Sequence, residues 1–178
     1  MKFTPTDLAG CWTISPKHFQ DERGRFMETY KAALFQHKIG EVDFIQDNEA
    51  VSSYGVIRGL HFQKGNDAQA KLIRVVQGSI VDIVVDLRPS SPTYLRQYRI
   101  ELSAENKKQL YVPKGFAHGY AVTSSQAIVT YKVDAPYNPA AEGGISPRDP
   151  HFSFDWGVPI EDQQINDRDL NWPNHVTE

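Results

Sequence analysis

Short stretches of alternating apolar and polar residues run through most of the chain, with the period of two that is typical of half-buried β-strands. The clearest stretch is SIVDIVVDL, residues 79–87, which places Val81 and Asp82 on opposite faces. A shorter alternating stretch, 71–76, precedes it, and Gln77-Gly78 between the two favours a turn. The sequence therefore predicts that the two stretches form a β-hairpin.

Further short strands are predicted at four places: 98–102, 109–112, 119–122 and 128–133. Pro-Lys-Gly at 113–115 and Thr-Ser-Ser at 123–125 separate them as turns. Helical spacing is plausible only over 28–37. Many short strands with few helices predict an all-β fold, a sandwich or small barrel with a few short helices.

No linker, internal repeat or low-complexity stretch divides the chain, so we expect a single domain over 1–178. Residues 135–149 are rich in Pro, Gly and Ala and are predicted to form a long loop. Residues 161–178 are polar, and we expect them to lie on the surface as a C-terminal segment.

Composition and charge exclude several classes of protein. The 178 residues are 40% hydrophobic and 23% charged, with a formal net charge of -3, which argues against general nucleic-acid binding. Cys11 is the only cysteine, so the chain forms no intrachain disulfide and no cysteine-based zinc site. The N-terminus lacks an apolar targeting region, and no apolar run approaches the ~20 residues of a membrane span. We therefore expect a cytoplasmic protein without membrane contacts.

Four polar side chains in or beside the predicted strands are candidates for chemistry: His61, Lys71, His118 and Tyr131. Each has an ordinary structural explanation, such as a core histidine bonded to backbone or a solvated lysine at a strand end. Tyr131 alternates with Val129 and is expected to point inward, where its hydroxyl needs a partner. If the four share one face of a sheet, they supply a base, a cation and a hydroxyl acid.

A catalytic metal is the first alternative. The stretch PKGFAH, 113–118, resembles the second half of the metal-binding cupin signature. The first half requires a His-x-His pair and a glutamate, whereas this chain has GLHFQ at 59–63. Two histidines without a nearby carboxylate are a poor site for iron, zinc or manganese. We expect no metal, and a metal-dependent cupin oxygenase remains an alternative.

Five motifs stand out along the chain: FQDERGRFMETY (19–30), QDNEAVSSYGVIRGLHFQ (46–63), AKLIRVVQGSIVDIVVDLRPSSPTY (70–94), VPKGFAHGYAV (112–122) and PYNPAAEGGI (136–145). In residues, order and spacing they together resemble the dTDP-4-dehydrorhamnose 3,5-epimerase family. The resemblance extends over about residues 12–173. It implies a cupin-like β jelly roll that dimerises through its sheets.

The resemblance also implies a reaction without a cofactor. The substrate would be a dTDP-linked 4-keto-6-deoxy sugar, whose ketone acidifies the hydrogens on C3 and C5. Inversion needs a base on one face, stabilisation of the enolate oxygen, and an acid on the opposite face. Nothing is oxidised, so neither NAD nor a metal is needed.

Site residues follow from the same resemblance. His61 matches the general base, Asp169 the carboxylate that orients it, Lys71 the cation facing the enolate, and Tyr131 the acid. Seven further residues are expected to bind the substrate, with the arginines facing the diphosphate and Tyr137 stacking on thymine or closing the pocket: Arg23, Glu28, Gln46, Asn48, Arg58, His118 and Tyr137.

Arg58 and His61 raise a problem of phase, since they are an odd number of residues apart on one predicted strand and strict alternation puts them on opposite faces. Gly59 lies between them, and a glycine within a strand often marks a bulge, which shifts the phase by one residue. We therefore expect irregular pairing at Gly59, with both side chains in one polar pocket.

Two departures from the family pattern concern specificity. Ala50 stands where many relatives have a serine, and Ser146-Pro147-Arg148 replaces a segment that often carries tryptophan and asparagine. Both are expected at or near the pocket, and they leave open whether C3, C5 or both are inverted. A mono-epimerase on a related nucleotide sugar is thus an alternative, and a non-catalytic sugar-binding jelly roll is a further one.

Overall fold

The computed structural model describes residues 1–174. Within this range the chain forms β1 (Lys2–Pro5), β2 (Trp12–Ser15), β3 (His18–Asp21), β4 (Gly24–Met27), α1 (Ala32–Ile39), β5 (Gln46–Ser53), β6 (Ile57–Gln63), β7 (Lys71–Gln77), β8 (Ser79–Asp86), β9 (Gln97–Ser103), β10 (Gln109–Val112), β11 (Phe116–Val122), β12 (Gln126–Val133), β13 (Glu142–Gly144) and α2 (Asp167–Leu170). Single 3₁₀ turns follow β6 and precede α2.

Two antiparallel sheets pack face to face. The six-stranded sheet has the order β1-β2-β10-β7-β12-β5, and the five-stranded sheet has the order β13-β6-β11-β8-β9. Apolar side chains of both sheets meet in one buried cluster, including Ile73 and Val129 from the first sheet and Ile80 and Val84 from the second. Burying one face of each sheet supplies the main driving force for folding. The prediction of an all-β sandwich with a few short helices is confirmed.

The predicted hairpin of β7 and β8 is wrong, although both strands exist. Strand β7 pairs with β10 and β12, whereas β8 pairs with β9 and β11 in the other sheet. The chain crosses between the sheets at Gly78, whose φ of +76° favours glycine. Gly78 also lies against β12, where the Cβ of any other residue would clash with the Gln126 carbonyl oxygen. Alternation predicts that each stretch is a strand, but it does not show which strands pair. Two consecutive strands with this pattern can form a hairpin or enter different sheets.

Other differences lie where the pattern is weak. Helix α1 begins at Ala32 rather than at residue 28, and it buries Phe35 against Leu72 and Tyr111 on the outer face of the six-stranded sheet. Strands β1 to β5 were not predicted, because their sequences are short or polar. The predicted loop 135–149 contains β13, which pairs with β6.

The last third of the chain covers the outer face of the five-stranded sheet. Phe152, Trp156 and Val158 pack against Val81 and Ile83 of β8. The predicted surface segment begins after these residues, and over 161–174 it is largely exposed, as expected. Its helix α2 buries only Asp169. Residues 175–178, which were included in that prediction, lie outside the described residues. Among the helices of residues 1–174, none is long and apolar enough to cross a membrane.

Candidate active site

A cavity of about 530 Å³ opens between the two sheets. Strands β5, β7 and β12 supply one wall, strands β6, β11 and β13 supply the other, and α2 closes one side. Its lining consists of Gln46, Asn48, Ala50, Arg58, His61, Phe62, Gln63, Gln69, Lys71, His118, Tyr120, Tyr131, Tyr137, Glu142, Asn166, Arg168 and Asp169. Nearly all of these side chains are polar or aromatic, as expected for a pocket that binds a polar ligand.

A bulge in β6 brings Arg58 and His61 to the same face. His61 pairs with His118 and Arg58 pairs with Tyr120, so three residue steps on β6 match two on β11. The extra residue shifts the side-chain phase by one. The expected irregular pairing at Gly59 is thus confirmed, and both side chains line the cavity.

His61 and Asp169 form a hydrogen-bonded pair. His61 Nε2 lies 2.7 Å from Asp169 Oδ1, and because a carboxylate only accepts, that nitrogen carries a hydrogen. Asp169 is 1% exposed, and its second oxygen accepts the Gly59 N–H at 3.0 Å. Burial pushes the pKa of Asp169 up, but the bonds from His61 and Gly59 hold it below its usual value. Among the described residues no hydrogen bond engages Nδ1 of His61.

Lys71 begins β7 and enters the cavity without a fixed partner. Among the described residues no hydrogen bond or ion pair reaches its Nζ. Burial lowers the pKa of Lys71 to about 8, against the opposing pull of the Asp82 and Glu142 carboxylates. A partly buried cation that no carboxylate contacts directly within the described residues is available to stabilise negative charge on a ligand oxygen.

Tyr131 faces the cavity from the opposite sheet to His61. It lies on β12, opposite Asn48 on β5, and packs against the core cluster that holds Val129, as predicted from alternation. Burial raises the pKa of Tyr131, with the Arg58 guanidinium acting against it. Its hydroxyl is therefore a proton donor at neutral pH, while His61 approaches from the other wall.

Five of the residues predicted to bind substrate line the cavity: Gln46, Asn48, Arg58, His118 and Tyr137. Neighbouring side chains orient them. Arg58 Nε donates to Ser52 Oγ at 3.1 Å, and Gln46 donates to the Asn48 amide oxygen at 2.8 Å. The Tyr137 hydroxyl donates to Glu142 at 2.8 Å at the rim. These bonds leave most of the Arg58 guanidinium free for an anion.

Arg23 and Glu28 do not line the cavity of their own chain, so their role in substrate binding stays a prediction. Arg23 is 85% exposed at the turn of the β3–β4 hairpin, where it bonds Asp21. Glu28 is exposed just after β4 and lies 3.9 Å from Lys31 Nζ. The hairpin is a separate two-stranded sheet, so the sequence motif is present but the fold directs it away from the pocket.

The sequence did not point to three charged residues of the site: two at the mouth of the cavity and one buried behind its lining. Arg168 pairs with Glu142 at 3.2 Å, which joins α2 to β13 across the mouth of the cavity. Glu142 lies in a motif interpreted as a loop, and Arg168 precedes the buried Asp169. Asp82, fully buried on β8, bonds His118 at 2.9 Å. Asp82 and Val84 are two residues apart on one strand and so share a face, and this pattern was the available signal that Asp82 points inward.

Of the two places where this sequence differs from the family pattern, only Ala50 lines the cavity. Ser146-Pro147-Arg148 does not: the Pro147 carbonyl accepts from the Trp156 indole N–H at 2.9 Å, and the Ser146 N–H donates to the Pro173 carbonyl at 3.2 Å. That segment supports the C-terminal part of the chain and follows Ile145, which pairs with Leu60 beside His61, so it lies near the pocket without lining it.

The donor set of the cavity does not fit a metal ion. Within residues 1–174 no three His, Cys, Asp or Glu side chains converge in the way a metal site needs. The two histidines, His61 and His118, each direct Nε2 to a carboxylate of their own. The arrangement instead suits acid–base chemistry, with a base and a proton donor on opposite walls and a cation on one of them.

Comparison with known proteins gives a consistent result. The dTDP-4-dehydrorhamnose 3,5-epimerase family matches residues 5–176. A relative of that name from Methanothermobacter thermautotrophicus is 44% identical over 172 residues, which cover 96% of this chain and 92% of the relative. A dTDP-4-dehydrorhamnose 3-epimerase from Streptomyces niveus is 36% identical over 163 residues, covering 90% and 79%.

Solved structures agree with the sequence relatives. The crystal structure of a dTDP-4-dehydrorhamnose 3,5-epimerase from Elizabethkingia anophelis is 47% identical and superposes with a TM-score of 0.95 over 98% of this chain and 96% of that one. A 3,5-epimerase from Legionella pneumophila, solved with dTDP-4-keto-L-rhamnose, is 36% identical, with a TM-score of 0.90 over 99% of both chains. The cupin-like jelly roll expected from the sequence is confirmed.

Proposed function

The chain belongs to the dTDP-4-dehydrorhamnose 3,5-epimerase family, and from that premise we propose how its cavity carries out the reaction. The protein is an isomerase that inverts C3 and C5 of dTDP-4-dehydro-6-deoxy-D-glucose and gives dTDP-4-dehydro-L-rhamnose, a step of dTDP-L-rhamnose biosynthesis. One observation carries the proposed mechanism: His61 and Tyr131 face a single cavity from different sheets. Inversion requires such a base and acid on opposite faces of the sugar.

The first step is removal of a proton from C3 or C5 by His61 Nδ1. Histidine is the side chain that most often serves as a general base. Asp169 holds the ring through Nε2–H and stabilises the imidazolium that forms. The electron pair of the C–H bond moves into the enolate, and the negative charge develops on the C4 oxygen.

The enolate is stabilised by Lys71 and protonated by Tyr131. Within residues 1–174 no hydrogen bond or ion pair holds the Lys71 ammonium, and its charge is more effective in a partly dry cavity than in water. The Tyr131 hydroxyl then gives a proton to the other face of the same carbon, which inverts it. Water returns a proton to Tyr131 and removes one from His61, so no oxidant, NAD or metal is consumed.

Binding of the nucleotide half is assigned to the remaining polar lining. Arg58 is the cation for the diphosphate, with His118 beside it, and Gln46, Asn48 and Tyr137 contact the nucleotide. A relative from Legionella pneumophila holds a dTDP-sugar of this type. We propose that the protein is a cytoplasmic homodimer, as expected from the sequence. Arg23 and Glu28 would bind substrate only if the β3–β4 hairpin of a second copy entered this cavity.

A mono-epimerase is the second candidate function. The 3-epimerase from Streptomyces niveus is 36% identical, so the family includes an enzyme named for inversion at a single carbon. Ala50 lines the cavity of this chain, and the family resemblance leads us to expect a serine at that position. Inversion of the second carbon requires the sugar to turn within the pocket, and even a small displacement of the reacting atoms can suppress one step.

Product analysis in heavy water tests both candidates. The purified protein is incubated with dTDP-4-dehydro-6-deoxy-D-glucose in D₂O, and the product is read by NMR. Deuterium at C3 and C5, with an L-sugar that a 4-keto reductase accepts, supports the double epimerase. Label and inversion at one carbon alone identify a mono-epimerase, and Ala50→Ser is then the first substitution to test. A protein that neither exchanges nor inverts would contradict the proposal.

A further inference from the structure

The backbone on both sides of Tyr137 is held by one buried side chain. Gln63, the last residue of β6, is 6% exposed. Its Nε2 donates to the Pro136 carbonyl oxygen at 3.1 Å, and its Oε1 accepts the Asn138 N–H at 2.7 Å. These two groups belong to the peptide units directly before and after the Cα of Tyr137. A single glutamine amide therefore fixes the backbone from which the Tyr137 side chain projects.

The Gln63 amide has no hydrogen left for a ligand. Nε2 also donates to the Asp67 carbonyl oxygen, at 2.6 Å, in the 3₁₀ turn that follows β6. A glutamine amide supplies two N–H hydrogens, and both of them bind backbone oxygens here. Gln63 lines the cavity, but its polar contacts are directed into the wall that carries Tyr137. The mechanism proposed above gives this side chain no part.

The loop between β12 and β13 is tied to the same region by further bonds. Asn138 Nδ2 donates to Asp67 Oδ2 at 3.1 Å, and Asn138 Oδ1 accepts the Ala140 N–H at 3.1 Å. The Lys64 N–H donates to the Ala141 carbonyl oxygen at 2.9 Å. A loop without such bonds has to be ordered when a ligand binds, which costs conformational entropy. In this protein the loop is already ordered by folding.

The Tyr137 side chain is also held at its far end. Its hydroxyl donates to Glu142 Oε2 at 2.8 Å, and Glu142 pairs with Arg168 across the mouth of the cavity. Tyr137 nevertheless stays 55% exposed. The ring is thus fixed through its backbone and through its hydroxyl, while much of its surface stays open at the rim. A fixed and open aromatic ring is suited to stacking on a planar group of a ligand.

We infer that Gln63 is a positioning residue for nucleotide binding, which holds Tyr137 at the mouth of the cavity in the orientation that stacks on a planar base. An aromatic ring stacks on a nucleobase through its π face, so the base is the part of a nucleotide sugar that this ring recognises. The inference rests on the proposed function, which places the nucleotide against Tyr137. It adds to that function the residue that orients the contact.

The consequence for catalysis is a separation of binding from chemistry. The nucleotide does not change during the reaction, so a contact with its base is equally strong in the substrate complex and in the transition state. Loss of such uniform binding raises KM and leaves kcat unchanged. A ring that must be immobilised by the ligand should lower the affinity by roughly five- to tenfold.

Amide exchange in the ligand-free protein tests the contact itself. The Asn138 N–H donates to Gln63 Oε1, so in ¹⁵N-labelled protein it should exchange slowly with D₂O. In Gln63→Leu, which keeps an apolar side chain of similar size but removes the amide, this exchange should become fast. The amides of β8 should keep their protection and show that the variant is folded. Fast exchange of the Asn138 amide in the wild type would overturn the inference even if no variant folds.

Calorimetric titration with dTDP tests whether Gln63 acts through Tyr137. Gln63→Leu should weaken binding by roughly five- to tenfold and Tyr137→Ala by about tenfold or more. The double variant should stay within about twofold of Tyr137→Ala, because the ring that Gln63 orients is gone. Gln97→Leu is the matched control and should bind as wild type, since Gln97 Nε2 donates to the Phe152 carbonyl oxygen at 2.8 Å outside the cavity.

Two binding results would overturn the inference: losses that multiply in the double variant, or a Tyr137→Ala protein that binds dTDP as tightly as wild type. In steady-state kinetics, Gln63→Leu should raise KM by the same factor as the dissociation constant, with kcat within about twofold of wild type. A fall in kcat at unchanged KM would contradict a positioning role in binding. A wild type that binds dTDP but does not turn over the sugar would contradict the epimerase function alone, since amide exchange and dTDP binding do not depend on turnover.

Discussion

His61 and Asp169 are 108 residues apart in the chain, yet His61 Nε2 and Asp169 Oδ1 lie 2.7 Å apart in the folded protein. The same carboxylate accepts the Gly59 N–H at the bulge, and the Asn166 side chain caps the short helix that carries it by accepting the Asp169 N–H at 2.7 Å. The His61 ring, the proposed base, is thus oriented jointly by a strand irregularity and by a C-terminal helix. Each of these contacts leads to a measurable expectation.

His61→Ala should reduce kcat/KM by roughly 10²–10⁴-fold, the usual cost of removing a general base. The fold should persist, because the ring lines a cavity rather than the core. Steady-state kinetics measures the loss, and circular dichroism and thermal melting check the fold. His37→Ala, at an exposed position of α1, is the matched control and should behave as wild type. Near-normal turnover in a folded His61→Ala protein would remove the assignment of the base.

Tyr131→Phe should separate proton exchange from inversion. The ring is kept but the hydroxyl is lost, so substrate still binds and His61 still removes a proton. Solvent deuterium should therefore enter C3 or C5 while inversion slows by at least about tenfold, since the donor on the opposite face is gone. Tyr94→Phe changes a tyrosine outside the cavity and should alter neither rate. If exchange and inversion fell together, Tyr131 would act in positioning or enolate stabilisation instead.

The protonation of Lys71 should set the alkaline limit of activity. Burial lowers its pKa to about 8, so the ammonium is lost as pH rises through that value and kcat/KM should fall about tenfold per pH unit beyond it. Lys71→Met should be slow at every pH and lack this limb. Activity of the wild type that stays constant well above this pKa would contradict a role for the lysine charge.

The same shift has an opposite consequence for stability. The unfolded chain binds the lysine proton up to its ordinary pKa of 10.5, whereas the folded chain releases it near 8. Between these values the unfolded state holds more protons, so the contribution of Lys71 to the free energy of unfolding rises with pH. Denaturant titrations across this window should show a more positive slope in the wild type than in Lys71→Met.

Gly59→Ala should destabilise the protein more than Gly24→Ala does. Both glycines have a φ of +120°, which costs a residue with a side chain about 1–3 kcal/mol. A Cβ at Gly59 would also lie 2.6 Å from Gly119 Cα, whereas nothing lies within 4 Å of one at Gly24. The contact should add about 1–3 kcal/mol in the free energy of unfolding, measured by urea denaturation. Equal losses in the two variants would mean that β11 yields to the new side chain.

Activity should survive removal of metal ions. The proposed steps use only protons and fixed charges, so dialysis against a strong chelator should leave kcat/KM within about twofold of the untreated enzyme. Elemental analysis of the purified protein should find no stoichiometric transition metal. Metal at about one ion per chain, together with activity restored only on adding it back, would favour the cupin-oxygenase alternative.

The sequence alone determined the class of fold and the presence of the chemistry. Alternation over 79–87 predicts a strand because the period of two is a local property of extended backbone. Burial of both faces of that strand became visible only in the fold. The inward orientation of Tyr131 follows from the same rule. The bulge at Gly59 could also be predicted, because Arg58 and His61 violate alternation and glycine tolerates the irregularity.

Only the tertiary structure decided which elements meet. Strands β7 and β8 carry the pattern of a hairpin, but their partners come from strands later in the chain, so the two enter different sheets. No local signal joins His61 to Asp169 or His118 to Asp82; the family resemblance suggested the first pair, and the fold alone revealed the second. The fold likewise directs Arg23 away from the cavity. Alternation is set by each residue and its neighbours, whereas these contacts depend on how sheets built from distant segments pack together.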